Sequence, residues 1–279
     1  MGGCVLYTPP AMKKIVLFLC TVIVLTAFKK DGDPPVSEPT CSSDLKRGLL
    51  AYYPFNANFN DASGNGNRAI PKNGAFLTTD CKGQSYHAAG FDGKDDYLIV
   101  PGNPKLNADS LSVCFYVLVN NVRRRNVTIS RINYETGESL IFGIHHNLET
   151  YGTWGFGLVT GKDDCSKSYS YDESVTSYTK GTMQAGRWYS VISTFGKGIQ
   201  KMYVDGVLQS TMKRSFQSAK RCANSDLMIG GWWKADIVSI DGKLDEVRLY
   251  NRVINDCEIA KLAAGVEQIT NLRGTITAR

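Results

Sequence analysis

GRWYSVISTFGKGIQKMYVDGVLQSTM, Gly186 to Met212, reads as two consecutive hairpins. Trp188–Phe195 is a strand. It turns at Gly196-Lys197-Gly198 and returns as Ile199–Val204. Asp205-Gly206 then supplies the positive φ angles of a tight turn into Val207–Thr211. Strands this short, joined by glycine turns, predict an antiparallel sheet and exclude a helical bundle.

The same grammar extends in both directions. Leu49–Phe55 is a first strand, and Tyr97–Val100 follows the turn at Asp92-Gly93. Leu111–Val119 alternates, with Val113, Phe115, Val117 and Val119 on one face and Cys114 on the other. Leu140–Ile144, Trp154–Val159, Leu227–Ile229 and Leu244–Tyr250 are further strands. One helix is predicted, with Asn255 as N-cap and Glu258 closing a capping box. Ile259 and Leu262 form its inner face, and Gly265 is read as its end. The fold class is therefore all-β, a two-sheet antiparallel sandwich with one short C-terminal helix.

The 279 residues are 43% apolar and 21% charged, ample for a full core. The net charge is +6, two units of which are Lys13 and Lys14 in the leader. The other basic residues are scattered apart from Arg123-Arg124-Arg125, read as a solvated loop, so the sequence has no nucleic-acid footprint. From Met12, two lysines precede the apolar run Ile15–Phe28, the pattern of an export signal. Residues 1–30 are assigned to that signal with an upstream extension, and residues 31–44, rich in Pro, Asp and Ser, to a tether. Leu25-Thr26-Ala27 resembles the end of a bacterial lipoprotein signal, but Phe28 stands where the lipidated cysteine belongs. Export to the cell envelope or beyond is expected, and a membrane anchor by that route is not. One domain spans residues 45–265, followed by a tail at 266–279.

Four stretches in order resemble the laminin-G-like, concanavalin A-like lectin–glucanase family. They are GLLAYYPFNANFNDASGNGN (Gly48–Asn67), AGFDGKDDYLIVP (Ala89–Pro101), MYVDGVLQST (Met202–Thr211) and DGKLDEVRLYNRVINDCEIAKL (Asp241–Leu262). The resemblance implies a jelly roll with a concave face. It also implies a choice among lectin, carbohydrate-binding module, adhesion domain and glycoside hydrolase, which fold alone does not make.

Asp245 and Glu246 invite a catalytic reading. On a regular strand Asp245 shares a face with Val247 and Leu249, and Glu246 shares the other with Arg248 and Tyr250. Adjacent carboxylates then diverge, whereas glycoside hydrolysis needs both across one bond. The E-x-D-x-E spacing of hydrolases with this fold is absent, as are a G-x-S-x-G elbow and an H-E-x-x-H motif. The expectation is a protein that binds without catalysing, with Glu246 as the ion-pair partner of Arg248.

Asp245 on the core side needs a partner. Asp61-Ala62-Ser63-Gly64-Asn65-Gly66-Asn67 places oxygen side chains at alternate positions like the first half of a calcium loop, but Lys72 replaces the closing Glu. The resemblance implies a structural Ca²⁺ between first and last strands, and the loop spacing makes Asp61, Ser63 and Asn65, with Asp245, its candidate ligands. The competing reading is a plain turn whose backbone amides hold a carboxylate. For a sugar, Trp232 and Trp233 are candidate stacking platforms, with one of the two expected in the core, and Tyr171, near Tyr169 and Tyr178, is a rim candidate. Of the six cysteines that follow the leader, Cys165 and Cys222 are the predicted disulfide, and Cys114 and Cys257 are predicted free and buried. The function expected is a non-catalytic, exported carbohydrate-binding module of a bacterial cell envelope. The alternatives are a protein-binding adhesion module and a divergent glycoside hydrolase. The partner is a glycan or polysaccharide, or else a surface protein.

Overall fold

A computed structural model describes residues 42–146, 153–158, 165, 176–180 and 183–274, with helix side chains as far as 265. All of these fall in one compact unit beginning at Cys41. Two antiparallel sheets make it up. One has eight strands: β1 (Leu49–Tyr53), β3 (Phe76–Thr78), β4 (Ala88–Asp92), β6 (Leu111–Val119), β11 (Trp188–Gly196), β12 (Ile199–Val204), β13 (Val207–Lys213) and β15 (Asp241–Tyr250). The other has seven: β2 (Ile70–Lys72), β5 (Tyr97–Val100), β7 (Val127–Ile132), β8 (Phe142–His146), β9 (Trp154–Leu158), β10 (Thr176–Tyr178) and β14 (Asp226–Ile229).

The eight-stranded sheet runs β13-β12-β11-β6-β15-β4-β3, with β1 also paired to β15; the other runs β10-β9-β8-β7-β14-β5-β2. Both hairpin turns fall where the sequence placed them. Lys197-Gly198 and Asp205-Gly206 have positive φ throughout (49°, 71°, 48° and 77°), as two-residue turns between twisted strands require. On β6, Leu111, Val113, Phe115, Val117 and Val119 enter the core between the sheets. Cys114 faces outward under a helix, α1 (Asp256–Gly274), where it meets Ile192, Tyr203, Tyr250, Ile259 and Leu262.

The capping box forms in full: Glu258 N donates to Asn255 Oδ1 at 2.9 Å, and Asn255 N donates to Glu258 Oε2 at 2.8 Å. Glu258 does more than cap. Its buried carboxylate also accepts both Nη atoms of Arg252 at 2.7 Å and the amide of Asp44 at 3.1 Å. One side chain thus fastens the start of the domain to its end. Burial pushes this carboxyl up, but the Arg252 bonds and the two amides outweigh it and hold it below the usual carboxylate range.

The helix continues past Gly265, contrary to the sequence reading. Gly265 is there for close approach: a Cβ would collide with the Tyr116 hydroxyl, which donates to the Leu262 carbonyl at 2.6 Å. The Cys165–Cys222 disulfide forms with a Cα–Cα distance of 5.7 Å. Cys114 is free and buried as expected, and so is Cys81. Cys257 is disulfide-bonded rather than free; its partner lies outside the described residues. Among the described residues, no helix is long and apolar enough to cross a membrane.

Candidate functional site

The pair Asp245-Glu246 does not obey strand alternation. Asp245 stands opposite Tyr116 and Arg248 opposite Cys114, so Glu246 and Val247 together face Phe115 alone. This is a β-bulge, with Glu246 in the left-handed region at φ 53°. The extra residue shifts the phase. Leu244, Val247 and Leu249 all enter the core, while Asp245 and Glu246 both line a cleft on the outer side of the sheet. The expected divergence of the two acids, and a core-side Asp245, are thus corrected by one inserted residue.

The cleft exists because β15 changes partners at the bulge. Asp241–Leu244 pairs with β4, and Val247–Tyr250 pairs with β1. The space left between β1 and β4 encloses about 250 Å³. Asn56, beyond β1, forms one wall, and the β3–β4 loop from Asp80 to His87 forms another; Tyr116 and Gly265 close it toward the helix. Ala57 N donates to the Tyr86 carbonyl at 2.8 Å, tying the two loops together. Of nine non-glycine residues with positive φ among those described, Glu246 lines this cleft, and Phe55, Ala57 and Tyr86 are chain neighbours of the lining residues Asn56 and His87. Such conformations cost of order 1–3 kcal/mol each and cluster where a site is held in shape. Tyr86, next in the chain to the lining His87, is 64% exposed.

The acids have different environments. Glu246 accepts the Tyr52 hydroxyl at 3.0 Å and a short bond from Arg248 Nη2, and the Arg248 guanidinium lies 4.0 Å above the Tyr52 ring. The predicted Glu246–Arg248 ion pair is present. Asp80 Oδ1 accepts the amides of Lys82 and Gln84, which shapes the loop. Asp245 is 4% exposed and receives one hydrogen bond, from the Glu246 amide to Oδ1 at 2.7 Å. Burial, then the charges of Glu246 and Asp80, push its carboxyl up to about 8 against that amide and Arg248. Asp245 is therefore mostly protonated at neutral pH. Cys81, buried beside it, is pushed up to about 11 and stays a thiol.

The residues expected to hold calcium are not brought together. Asp61 Oδ1 accepts the amides of Tyr52 and Ser63, and Oδ2 accepts that of Asn67. Ser63 Oγ and Asn65 Nδ2 donate to the carbonyls of Leu49 and Leu50 on β1. Asp61 is an anchor for its own turn, and Asp245 faces Asp80 and Glu246 instead. This set does not fit a cation that takes six to eight oxygens. Among the described residues, three carboxylates do converge elsewhere: Asp92, Asp95 and Asp96 at the β4–β5 turn have oxygens within 4.8 Å of one another. Asp96 there accepts the Asp92 amide, and Asp92 pairs with Lys94.

Trp232 is 3% exposed and lies against Gly143 on the outer face of the seven-stranded sheet, where a Cβ would strike its ring. It is a packing residue, which removes it as a stacking platform. Trp233 is half-buried over Gly137. Tyr171 lies outside the described residues. Arg124 donates to the Ser239 carbonyl and Arg125 pairs with Asp236 at 3.4 Å, so part of the arginine triplet is held locally. His145 is buried, with its imidazole lowered to about 4 by burial, Arg125 and His146, and is uncharged at neutral pH.

Sequence reasoning missed Asn56, Asp80, Gln84 and His87 as neighbours of Asp245. A signal for the bulge was available: the apolar spacing Leu244, Val247, Leu249 runs three then two, breaking the period of a regular strand.

Two packed antiparallel sheets, with first and last strands paired and a helix laid on one outer face, define a lectin-like jelly-roll sandwich. The chain belongs to the concanavalin A-like lectin/glucanases superfamily, whose model matches residues 92–260. No curated protein sequence matches it. Among solved structures it is similar to domain 4 of AbnA, a GH43 extracellular arabinanase from Geobacillus stearothermophilus, in complex with arabinotriose. The TM-score is 0.55 at 17% identity, over 77% of this chain and 98% of that one. It is also similar to the receptor-binding domain of botulinum neurotoxin mosaic serotype C/D, at TM-score 0.58 and 14% identity. A third likeness, at TM-score 0.58 and 12% identity, is to a botulinum neurotoxin type C structure whose cell entry depends on two ganglioside molecules. The chain covers about half of each toxin structure, 52%, with 80% and 79% of its own length. At these identities the likeness establishes the fold.

Proposed function

We propose that the protein is a non-catalytic carbohydrate-binding module that works outside the cytoplasm. The observation that carries this reading is the state of the two acids at the bulge. They share one cleft, and one is protonated at neutral pH, which is the pattern of an acid–base pair. Yet Glu246 is committed to Arg248 and Tyr52, so the second carboxylate is not available to activate water or attack a sugar carbon. What is left is a small polar cleft whose amides and carboxyls suit the hydroxyls of a sugar. The neighbours that bear arabinotriose or depend on gangliosides support the same reading by fold.

Export is supported by the Lys13-Lys14 and Ile15–Phe28 leader and by the Cys165–Cys222 disulfide, which persists in oxidising compartments. The test is a glycan array probed with the full chain, run beside a digest of mixed oligosaccharides. Binding with no new reducing ends is the expected result. Cleavage would replace this reading with a hydrolase, and capture of protein but no glycan would replace it with an adhesion module.

A further inference from the structure

We propose that Cys257 is bonded to Cys41, and that this bond clasps the start of the domain and its helix over the thiol of Cys114. The inference is independent of what the bulge cleft binds.

The pairing follows first from what the other cysteines do. The chain has eight. Cys165 and Cys222 are bonded to each other, and Cys81 and Cys114 are free. Cys257 is disulfide-bonded, which leaves Cys4, Cys20 and Cys41 as partners. Cys4 and Cys20 belong to the leader, and an export signal is removed from the mature chain. Cys41 opens the same compact unit that contains Cys257.

The second line is geometric. The described residues that follow Cys41 lie along the start of the helix. The Ser42 carbonyl accepts Asn255 Nδ2 at 3.2 Å, and the Asp44 amide donates to Glu258 Oε1 at 3.1 Å. Lys261 Nζ donates to Ser43 Oγ at 3.3 Å. Asn255, Glu258 and Lys261 bracket Cys257, which is itself half-buried. One peptide step of about 3.8 Å leads from Ser42 to Cys41. That step is within the reach of a disulfide, whose Cα atoms stand about 4.4–6.8 Å apart.

Forming the bond takes two protons and two electrons from the two thiols. The acceptor is a disulfide oxidant, reduced to two thiols by exchange. Such oxidants act in the compartments that an export leader serves.

The bond has something to hold down. Cys114 is 2% exposed beneath Ile259 and Leu262 of the helix, with Leu45 and Leu49 packed against the same cluster. Arg252 adds bonds to the carbonyls of Asp44 and Arg47. These polar contacts lie at the surface, where water competes for them. A bond between residues 41 and 257 closes nearly the whole domain into one loop. Cys165–Cys222 closes a separation of 57. The longer loop removes more freedom from the unfolded chain.

The experiment begins with tryptic mapping of the exported full chain, alkylated without reduction. The expected product is the peptide 31–46 linked to the peptide 253–261. Cys257 linked to a peptide bearing Cys4 or Cys20, linked to a second copy of the chain, or found as a thiol overturns the pairing. The double variant Cys41→Ser/Cys257→Ser then tests the clasp, by hydrogen exchange and by alkylation of Cys114. Exchange over residues 42–49 and 256–265 should quicken about tenfold or more, and Cys114 should alkylate faster by a similar factor, while β11 and β12 stay protected. The melting temperature should fall by about 10 °C. Mild reduction of the wild type reads the same signals without a substitution, should the variant not fold. Exchange that quickens evenly across both sheets, or a Cys114 that stays as protected as before, overturns the clasp.

Discussion

Replacing Asp245 by Asn should stabilise the protein, and by an amount that grows with pH. The folded carboxyl titrates near 8, and the unfolded one near 3.8. Between those values the folded chain holds a proton that the unfolded chain has lost, so stability falls as pH rises. One proton is worth about 1.4 kcal/mol per pH unit. From pH 5 to pH 7 the wild type therefore loses about 2.7 kcal/mol on this account alone. Asn keeps the Oδ1 acceptor for the Glu246 amide and does not ionise, so the variant escapes that loss. Urea unfolding of both proteins at pH 5, 6 and 7, disulfides intact, isolates the effect because every other titrating group is common to the pair. The gap should widen by about 1.4 kcal/mol per unit toward neutral pH. A gap that stays constant across that range would refute the reasoning, since it would mean that Asp245 ionises in the folded cleft as freely as in water.

Other consequences follow from the same geometry. Gly265→Ala should cost about 1–3 kcal/mol in unfolding free energy by overpacking against Tyr116, and Tyr116→Phe in the same chain should recover part of it. Glu258→Gln should destabilise by about 3 kcal/mol, because it leaves the Arg252 guanidinium without its counter-charge. Glu258 is held below the usual carboxylate range, so its contribution is present above the unfolded value of 4.5 and is lost as pH falls through the folded one; thermal melts from pH 6 down to pH 3 should show a loss in wild type that the variant lacks. Trp232→Ala should cost about 3–5 kcal/mol in the same melts while leaving glycan affinity per folded molecule unchanged, the mark of a packing residue.

Much of this molecule was legible in its sequence where a local rule has one outcome. Lys197-Gly198 and Asp205-Gly206 can close two-residue hairpins, and they do. The five apolar residues from Leu111 to Val119 can share a face only if Cys114 takes the other, and the helix then covers Cys114. Asn255 and Glu258 recognise each other across three residues. The candidate site was less legible because it depends on register. Alternation applied to Asp245 and Glu246 gave opposite faces, and one bulge residue with φ 53° put both in the same cleft. Asp61 looked like a metal ligand because the spacing of a calcium loop and of an amide-filled turn is the same at the level of letters. Gly265 looked like a helix stop because close packing against Tyr116 leaves no mark on the local sequence. Asn56, Gln84 and His87 join Asp245 through the β1–β15–β4 arrangement, which no local pattern encodes.

The central claim is that the bulge cleft is where this protein meets its ligand. A crystal structure of the full chain with the tightest-binding glycan of the array tests it directly. Sugar density is expected between Asn56 and His87, with a ring hydroxyl within hydrogen-bonding distance of Asp245 or Asp80. Density instead on the outer face of the seven-stranded sheet near Trp233, with an empty bulge cleft, would contradict it.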